Sequence, residues 1–288
     1  MSKFINPFTD FGFKYTFGTE KSKPFLIDFL NGLLVGQPQY EPIVDVEYID
    51  KEQNRVFSEN RGIIYDILCK TKDGRHFIVE MQNSRQPYFI NRSIFYMSRT
   101  IFGQGMSGEW NFQLSPVFIV SFMNFCLPEL GDAVRTDAGL CNLNTNELLS
   151  DKIRFIYIQL PKFAETNPDN CKDIFSQWIY TLKNMKNMES MPFVNQRPVF
   201  NEFAKHVSYA SLSPEDRRVY DRDLMAYRDL VNQMNYAKTE GREKGIKEGM
   251  AMEKKYSIRI MAELGINPKV IAEKYSMTVD EVMNVINN

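Results

Sequence analysis

Asp66, Glu80 and Gln82 are the residues of this chain whose types and setting could do chemistry. They lie in the stretch 62–83, GIIYDILCKTKDGRHFIVEMQN, where two apolar runs are joined by Lys72-Asp73-Gly74. Runs of this length around Asp-Gly predict a β-hairpin. Asp66 interrupts Ile63-Ile64-Tyr65-Asp66-Ile67-Leu68, and Glu80 and Gln82 interrupt Phe77-Ile78-Val79-Glu80-Met81-Gln82. A carboxylate among large apolar side chains is costly to bury unless it is paired or holds a metal.

Register decides whether these groups meet. If Asp73-Gly74 is a two-residue turn, Asp66 lies opposite Met81. If Lys72-Asp73-Gly74 is a three-residue loop, Thr71 pairs with Arg75 and Asp66 lies opposite Glu80. Three-residue hairpin loops put Gly in the third, left-handed position, where Gly74 stands, so the second register is favoured. Side chains alternate and directly opposed residues share a face, so Asp66, Glu80 and Gln82 form one polar cluster. Two opposed carboxylates repel, which points to a bound cation, and oxygen ligands at this density suit Mg²⁺ or Mn²⁺. A purely structural role would need cationic partners in the core. The hairpin offers Lys70 and Arg75 near its tip, several residues away.

These residues resemble a known family. An Asp on one strand, a short turn and Glu-x-Gln on the next are similar to the PD-(D/E)XK nuclease superfamily, with Gln82 where most members have Lys and Tyr65 where the name has Pro. Tyr65-Asp66-Ile67-Leu68, Gly74 and Val79-Glu80-Met81-Gln82 resemble the PD-(D/E)XK family transposases, also called recombination-promoting nucleases. So does the opening Asp10-Phe11-Gly12-Phe13-Lys14 followed by Phe17-Gly18. The resemblance implies an α/β restriction-endonuclease-like core (αβββαβ, mixed sheet) with helical C-terminal additions. It implies that Asp66 and Glu80 hold Mg²⁺ or Mn²⁺ with the backbone carbonyl of Met81, that DNA is the substrate, and that phosphodiester hydrolysis is the reaction. Gln82 can orient water or phosphate by hydrogen bonds but carries no positive charge. Lys14 or Arg92 is then the expected source of the missing cation, with Asp10 and Tyr96 as supporting residues.

The elements that position this cluster are legible around it. Thr9 or Asp10 caps a short helix that sets Asp10 and Lys14 one turn apart. Two readings of it stand: the pair lies near the site, or Phe11, Tyr15 and Phe17 plug the core and the charges face solvent. Ser22 to Leu34 is an amphipathic helix with Ser22 as cap and Pro24 in its first turn. Ile43 to Asp50 alternates as a first strand beside the Asp66 strand, with Asp45 and Glu47 read as exposed acids or, in the less favoured reading, as acids that approach the metal. Pro87 to Gly103 predicts a helix with an apolar face of Ile90, Ile94, Met97 and Ile101. A second stripe of Tyr88, Arg92, Tyr96 and Arg99 either is solvated or brings Arg92 and Tyr96 to the site or a phosphate, for which a guanidinium fork is suited. Ser115 to Phe125 reads as a strand buried on both faces and Lys152 to Leu160 as another, joined through a loop or short hairpin.

The 288 residues, 43% hydrophobic, suffice for one sizeable core or a core plus an appendage. A net charge of −1 gives no global basic field, so nucleic-acid contact must come from local patches. Four cysteines without CxxC spacing predict reduced thiols in a cytoplasmic protein, and two distant histidines argue against a His-based zinc site. No run is long and apolar enough for a membrane span. The expected organisation is a nuclease-like core over 1–165, a helical extension packing on it over 166–237, a Gly- and charge-rich helical linker over 238–257, and a small helix-turn-helix-like unit over 258–288. In that last unit Asn267-Pro268 starts one helix and the capping box Thr278-x-x-Glu281 opens the next. Few basic residues mark its second helix, so DNA contact and a packing or oligomerising role both stay open, as does a homo-oligomer. The reading is a metal-dependent DNA endonuclease linked by resemblance to recombination and transposition. The alternative is a catalytically silent DNA-binding or assembly protein on a nuclease scaffold.

Overall fold

The computed structural model describes residues 3–37, 40–49, 65–105 and 108–287. Gly62, Ile63 and Ile64 of the expected hairpin lie outside them. Two compact units are present, Met1–Met225 and Ala226–Asn288.

In the first unit, α1 (Asp10–Phe17) and α2 (Lys23–Leu34) precede β1 (Val46–Tyr48), β2 (Ile67–Thr71) and β3 (His76–Gln82). The helix α3 (Phe89–Phe102) then leads to β4 (Val117–Met123). A hairpin of β5 (Arg135–Cys141) and β6 (Leu148–Gln159) completes a mixed six-stranded sheet in the order β1-β2-β3-β4-β6-β5. β1, β2 and β3 pair antiparallel, β4 lies parallel to both β3 and β6, and β5 is antiparallel to β6. A parallel pair needs a crossover, which α3 supplies between β3 and β4. This is the αβββαβ order, extended by the β5–β6 hairpin.

Alternation along the central strands builds two cores. Phe122 on one face of the sheet meets Phe13, Phe17 and Phe29 at 5.8, 6.3 and 5.0 Å between ring centroids. Trp178 of α4 (Ile174–Asn184) closes this layer against Phe17, and Phe203 of α5 (Pro198–His206) stacks edgewise on Trp178. The other face carries Leu68, Ile78, Val117 and Ile119 against Met97 of α3. All seven residues of β4 are buried, as a strand sandwiched between two helical layers requires.

Thr9 caps α1, its hydroxyl accepting the Gly12 N–H at 2.9 Å. Gly12 is needed there, because a Cβ would fall 2.0 Å from the Asn6 carbonyl oxygen. Ser22 stands before α2, though its hydroxyl donates back to the Thr19 carbonyl at 2.9 Å. Of the apolar face expected for α3, Ile90, Met97 and Ile101 pack on the core, and Ile94 is corrected. Phe89, Ser93 and Met97 are its buried residues, and Ile94 is 49% exposed. Ser93 can be buried because its hydroxyl donates to the Phe89 carbonyl, which leaves no polar atom stranded and lets the helix approach the sheet closely.

The long helix α6 (Pro214–Glu263) contains Gly241, Gly245 and Gly249, and the division between the units falls within it. In the second unit α7 (Pro268–Tyr275) and α8 (Val279–Asn287) pack with the end of α6 around Ile258, Ile271, Ala272 and Val282. Asn267 caps α7, and the capping box forms as expected: Glu281 N–H donates to the Thr278 hydroxyl and the Thr278 N–H to the Glu281 carboxylate. No helix among the described residues is long and apolar enough to cross a membrane.

Candidate active site

The β2–β3 hairpin adopts the three-residue-loop register. The Thr71 N–H donates to the Arg75 carbonyl at 2.9 Å, the Gly74 N–H to the Thr71 carbonyl at 3.0 Å, and Gly74 has φ +91°. Pairs run from Lys70 opposite His76 to Ile67 opposite Val79. One step further, just ahead of β2, Asp66 faces Glu80.

Strand geometry then dictates what Asp66 does. Even-numbered residues of β3 turn their peptides toward β4, as the His76 N–H to Pro116 and the Asn124 N–H to Gln82 bonds show. Odd-numbered ones turn toward β2, as Arg75 does. Met81 therefore directs both its N–H and its carbonyl to the β2 side, where the ladder has just ended. The Asp66 carboxylate takes the place of the missing strand carbonyl and accepts the Met81 N–H at 2.9 Å. In return the Asp66 N–H donates to Glu80 at 3.3 Å. Two carboxylates and the Met81 peptide are thus gathered at one point by a strand end.

Glu80 is 6% exposed. Burial pushes its carboxyl up to about 8, and the Asp66 charge acts in the same direction. The Asp66 N–H, the Arg92 charge and the Gln82 side-chain amide, 3.5 Å away, pull the other way and are outweighed. Glu80 forms no ion pair with a Lys or Arg among the described residues. Ser121, also buried, sits directly across from it on β4.

From α3, Arg92 and Tyr96 lie within electrostatic reach of Glu80. The Arg92 guanidinium lies 5.9 Å from the Tyr96 ring centre and 5.4 Å from that of Phe89, and it hydrogen-bonds the Gln86 side chain. The Tyr96 hydroxyl is held above its usual range by burial and then by Glu80, with Asp66 adding to the effect. Tyr65 braces Tyr96 edge-on at 5.2 Å.

Asp10 and Lys14 form an ion pair on α1 at 2.5 Å and, among the described residues, bond to neither Asp66 nor Glu80. Their motif still reaches this end of the sheet, since the Asn83 side chain donates to the Phe8 carbonyl at 2.6 Å. The structure therefore gathers Asp66, Glu80, Met81, Gln82, Arg92 and Tyr96, and ties the Asp10 segment in through Asn83. Sequence reasoning missed Asn83, Gln86 and Ser121. Asn83 directly follows the Glu-x-Gln motif, which was a usable signal. Gln86 and Ser121 carried none.

The donor set fits a hard divalent ion. Two carboxylates and a peptide carbonyl are oxygen ligands, and Mg²⁺ is commonly held by one or two carboxylates with waters and substrate phosphate completing the shell. No group of three or more Asp, Glu, His or Cys side chains suited to a metal occurs among the described residues. A cation would also offset the Asp66 charge, which adds to burial in raising the Glu80 carboxyl.

Residues 7–237 match a family model described as PD-(D/E)XK nuclease family transposase. No curated protein and no solved structure matches the chain.

Proposed function

The chain belongs to the PD-(D/E)XK nuclease family transposases, and on that premise we propose that it is a metal-dependent DNA endonuclease that hydrolyses phosphodiester bonds. The observation that carries the reading is the meeting of Asp66, Glu80 and the Met81 peptide at the end of the β2–β3 ladder. Asp66, Glu80 and the Met81 carbonyl would hold Mg²⁺ or Mn²⁺. The chemistry such an ion supplies when bound is polarisation of the scissile phosphate and a lowered pKa for water.

The chain's own residues do the rest. Gln82, hydrogen-bonded to Glu80, orients the attacking water or a phosphate oxygen. It cannot take up a proton or stabilise charge as a lysine would. Arg92 supplies that positive charge, since it is the cation acting on Glu80 and its fork matches two phosphate oxygens. Tyr96 holds the guanidinium in place by ring contact. Lys14, paired with Asp10, is the second source of a cation in this reading.

Gln82 also favours one second reading, a silent DNA-binding scaffold. The metal site is tested first. Saturating Mn²⁺ raises the melting temperature of the wild type by about 5–10 °C and that of Asp66→Ala by little, since an ion bound only to the folded state stabilises it. Equal shifts in both proteins would remove Asp66 from the site. A shift confined to the wild type, without DNA cleavage by it, would favour the silent scaffold.

A further inference from the structure

Tyr88, the residue before α3, has φ +60° and ψ +30°. A bulky residue in this left-handed region is strained. It stands at a helix N-cap yet offers no side-chain acceptor to the helix amides, where Ser, Thr, Asp or Asn would be the usual choice. The residue is 80% exposed. Two other aromatic residues have positive φ, but Phe193 is buried, and Phe112, though 76% exposed, packs its ring against Trp110 at 4.8 Å. The Tyr88 ring has no aromatic partner among the described residues.

The strain lies next to the site. The Arg92 N–H donates to the Tyr88 carbonyl at 2.9 Å, which places the two residues one helical turn apart. Beside Tyr88 is a cleft of about 270 Å³. Buried Phe89 and Leu127 give it an apolar floor, and Gln86 and Asn91 put amides on its wall. Its charged residues, Arg85 and Glu129, pair with each other at 3.7 Å and leave it without net charge. A cleft of this size lies near the lower end of small-ligand pockets, roughly 300 Å³. Apolar floor, polar edge and neutrality suit a flat heterocycle with hydrogen-bonding edges and do not suit a phosphate.

We propose that Tyr88 stacks on an unstacked nucleobase next to the scissile phosphate, and that the cleft between the β3–α3 loop and Leu127 receives that base. The inference rests on the nuclease reading and adds a positioning residue to it. Stacking on a single aromatic side chain is sequence-tolerant, so no particular base is required.

The test compares Tyr88→Phe, Tyr88→Ala and Tyr88→Gly in the full chain. A fluorescein-labelled single-stranded oligodeoxynucleotide in Ca²⁺ reports binding, and plasmid cleavage in Mn²⁺ reports KM and kcat. Tyr88→Phe behaves as wild type. Tyr88→Ala and Tyr88→Gly bind about 10-fold more weakly, with KM raised and kcat little changed. Tyr88→Gly nevertheless melts above Tyr88→Ala, because glycine relieves the left-handed backbone. Binding and KM within twofold of wild type in both truncations would overturn the inference and leave the nuclease reading intact. A loss in Tyr88→Ala that Tyr88→Gly restores would make the ring's role structural and also overturn it. Wild type that binds through Tyr88 but does not cut would sink only the nuclease reading. Wild type that neither binds nor cuts would end both.

Discussion

At pH 8 the metal-free Glu80→Gln variant is more stable than the wild type, and at pH 5 the gap is smaller by on the order of 3 kcal/mol. The sign follows from the direction of the shift. The folded-state carboxyl is raised from 4.5 to about 8, by burial first and by Asp66 second. Between those values the folded protein holds a proton that the unfolded chain has released. Stability therefore falls as pH rises through this window, and the loss is complete above about 8. Glutamine keeps the shape and stays neutral, so the variant lacks that slope. Denaturant unfolding at the two pH values, with EDTA present, measures it. A gap that does not change with pH would mean that Glu80 is not held protonated by its surroundings. The same linkage requires metal binding to release protons, so Mn²⁺ affinity rises with pH over the same range.

Arg92→Ala lowers DNA cleavage by about 100-fold or more while leaving the Mn²⁺-induced rise in melting temperature in place. A preorganised charge aimed at the developing charge of the transition state is worth roughly this much. The ion itself depends on Asp66, Glu80 and the Met81 peptide, none of which needs the guanidinium. Arg92 sits over the Tyr96 and Phe89 rings and is held by Gln86, so it is placed before substrate arrives. Lys14→Ala is the companion measurement. A large loss there with normal Arg92→Ala activity would move the cation to α1, where Lys14 now pairs with Asp10. Near-normal cleavage in both variants would remove the idea that either side chain replaces the lysine absent at position 82.

What could be read from the sequence was what local chemistry decides. Gly74 in the third position of Lys72-Asp73-Gly74 set the loop type, the loop type set the register, and the register brought Asp66 opposite Glu80. The Thr278–Glu281 box and the Asn267 cap were equally local. Tertiary packing decided the rest. On α3, isoleucine at 94 outranks serine at 93 by hydrophobicity, yet Ser93 is buried, because a small side chain bonded to its own helix allows close approach to the sheet. β5 left no signal. It is an edge strand, mostly exposed, with irregular pairing around Gly139 and Leu140, so no alternation marks it. The carboxylate of Asp66 completing the Met81 peptide depends on where β2 ends, which pattern alone does not set. The second stripe of α3 puts Arg92 and Tyr96 within electrostatic reach of Glu80, which spacing could only suggest.

Whether Asp66 and Glu80 form a working metal-dependent hydrolytic site is decided by cleavage of supercoiled plasmid by wild type and Glu80→Ala, with Mg²⁺, Mn²⁺, Ca²⁺ or EDTA. Nicking by the wild type in Mg²⁺ or Mn²⁺ is expected, with none in EDTA and none by Glu80→Ala in any condition. Equal nicking by both proteins would contradict such a site.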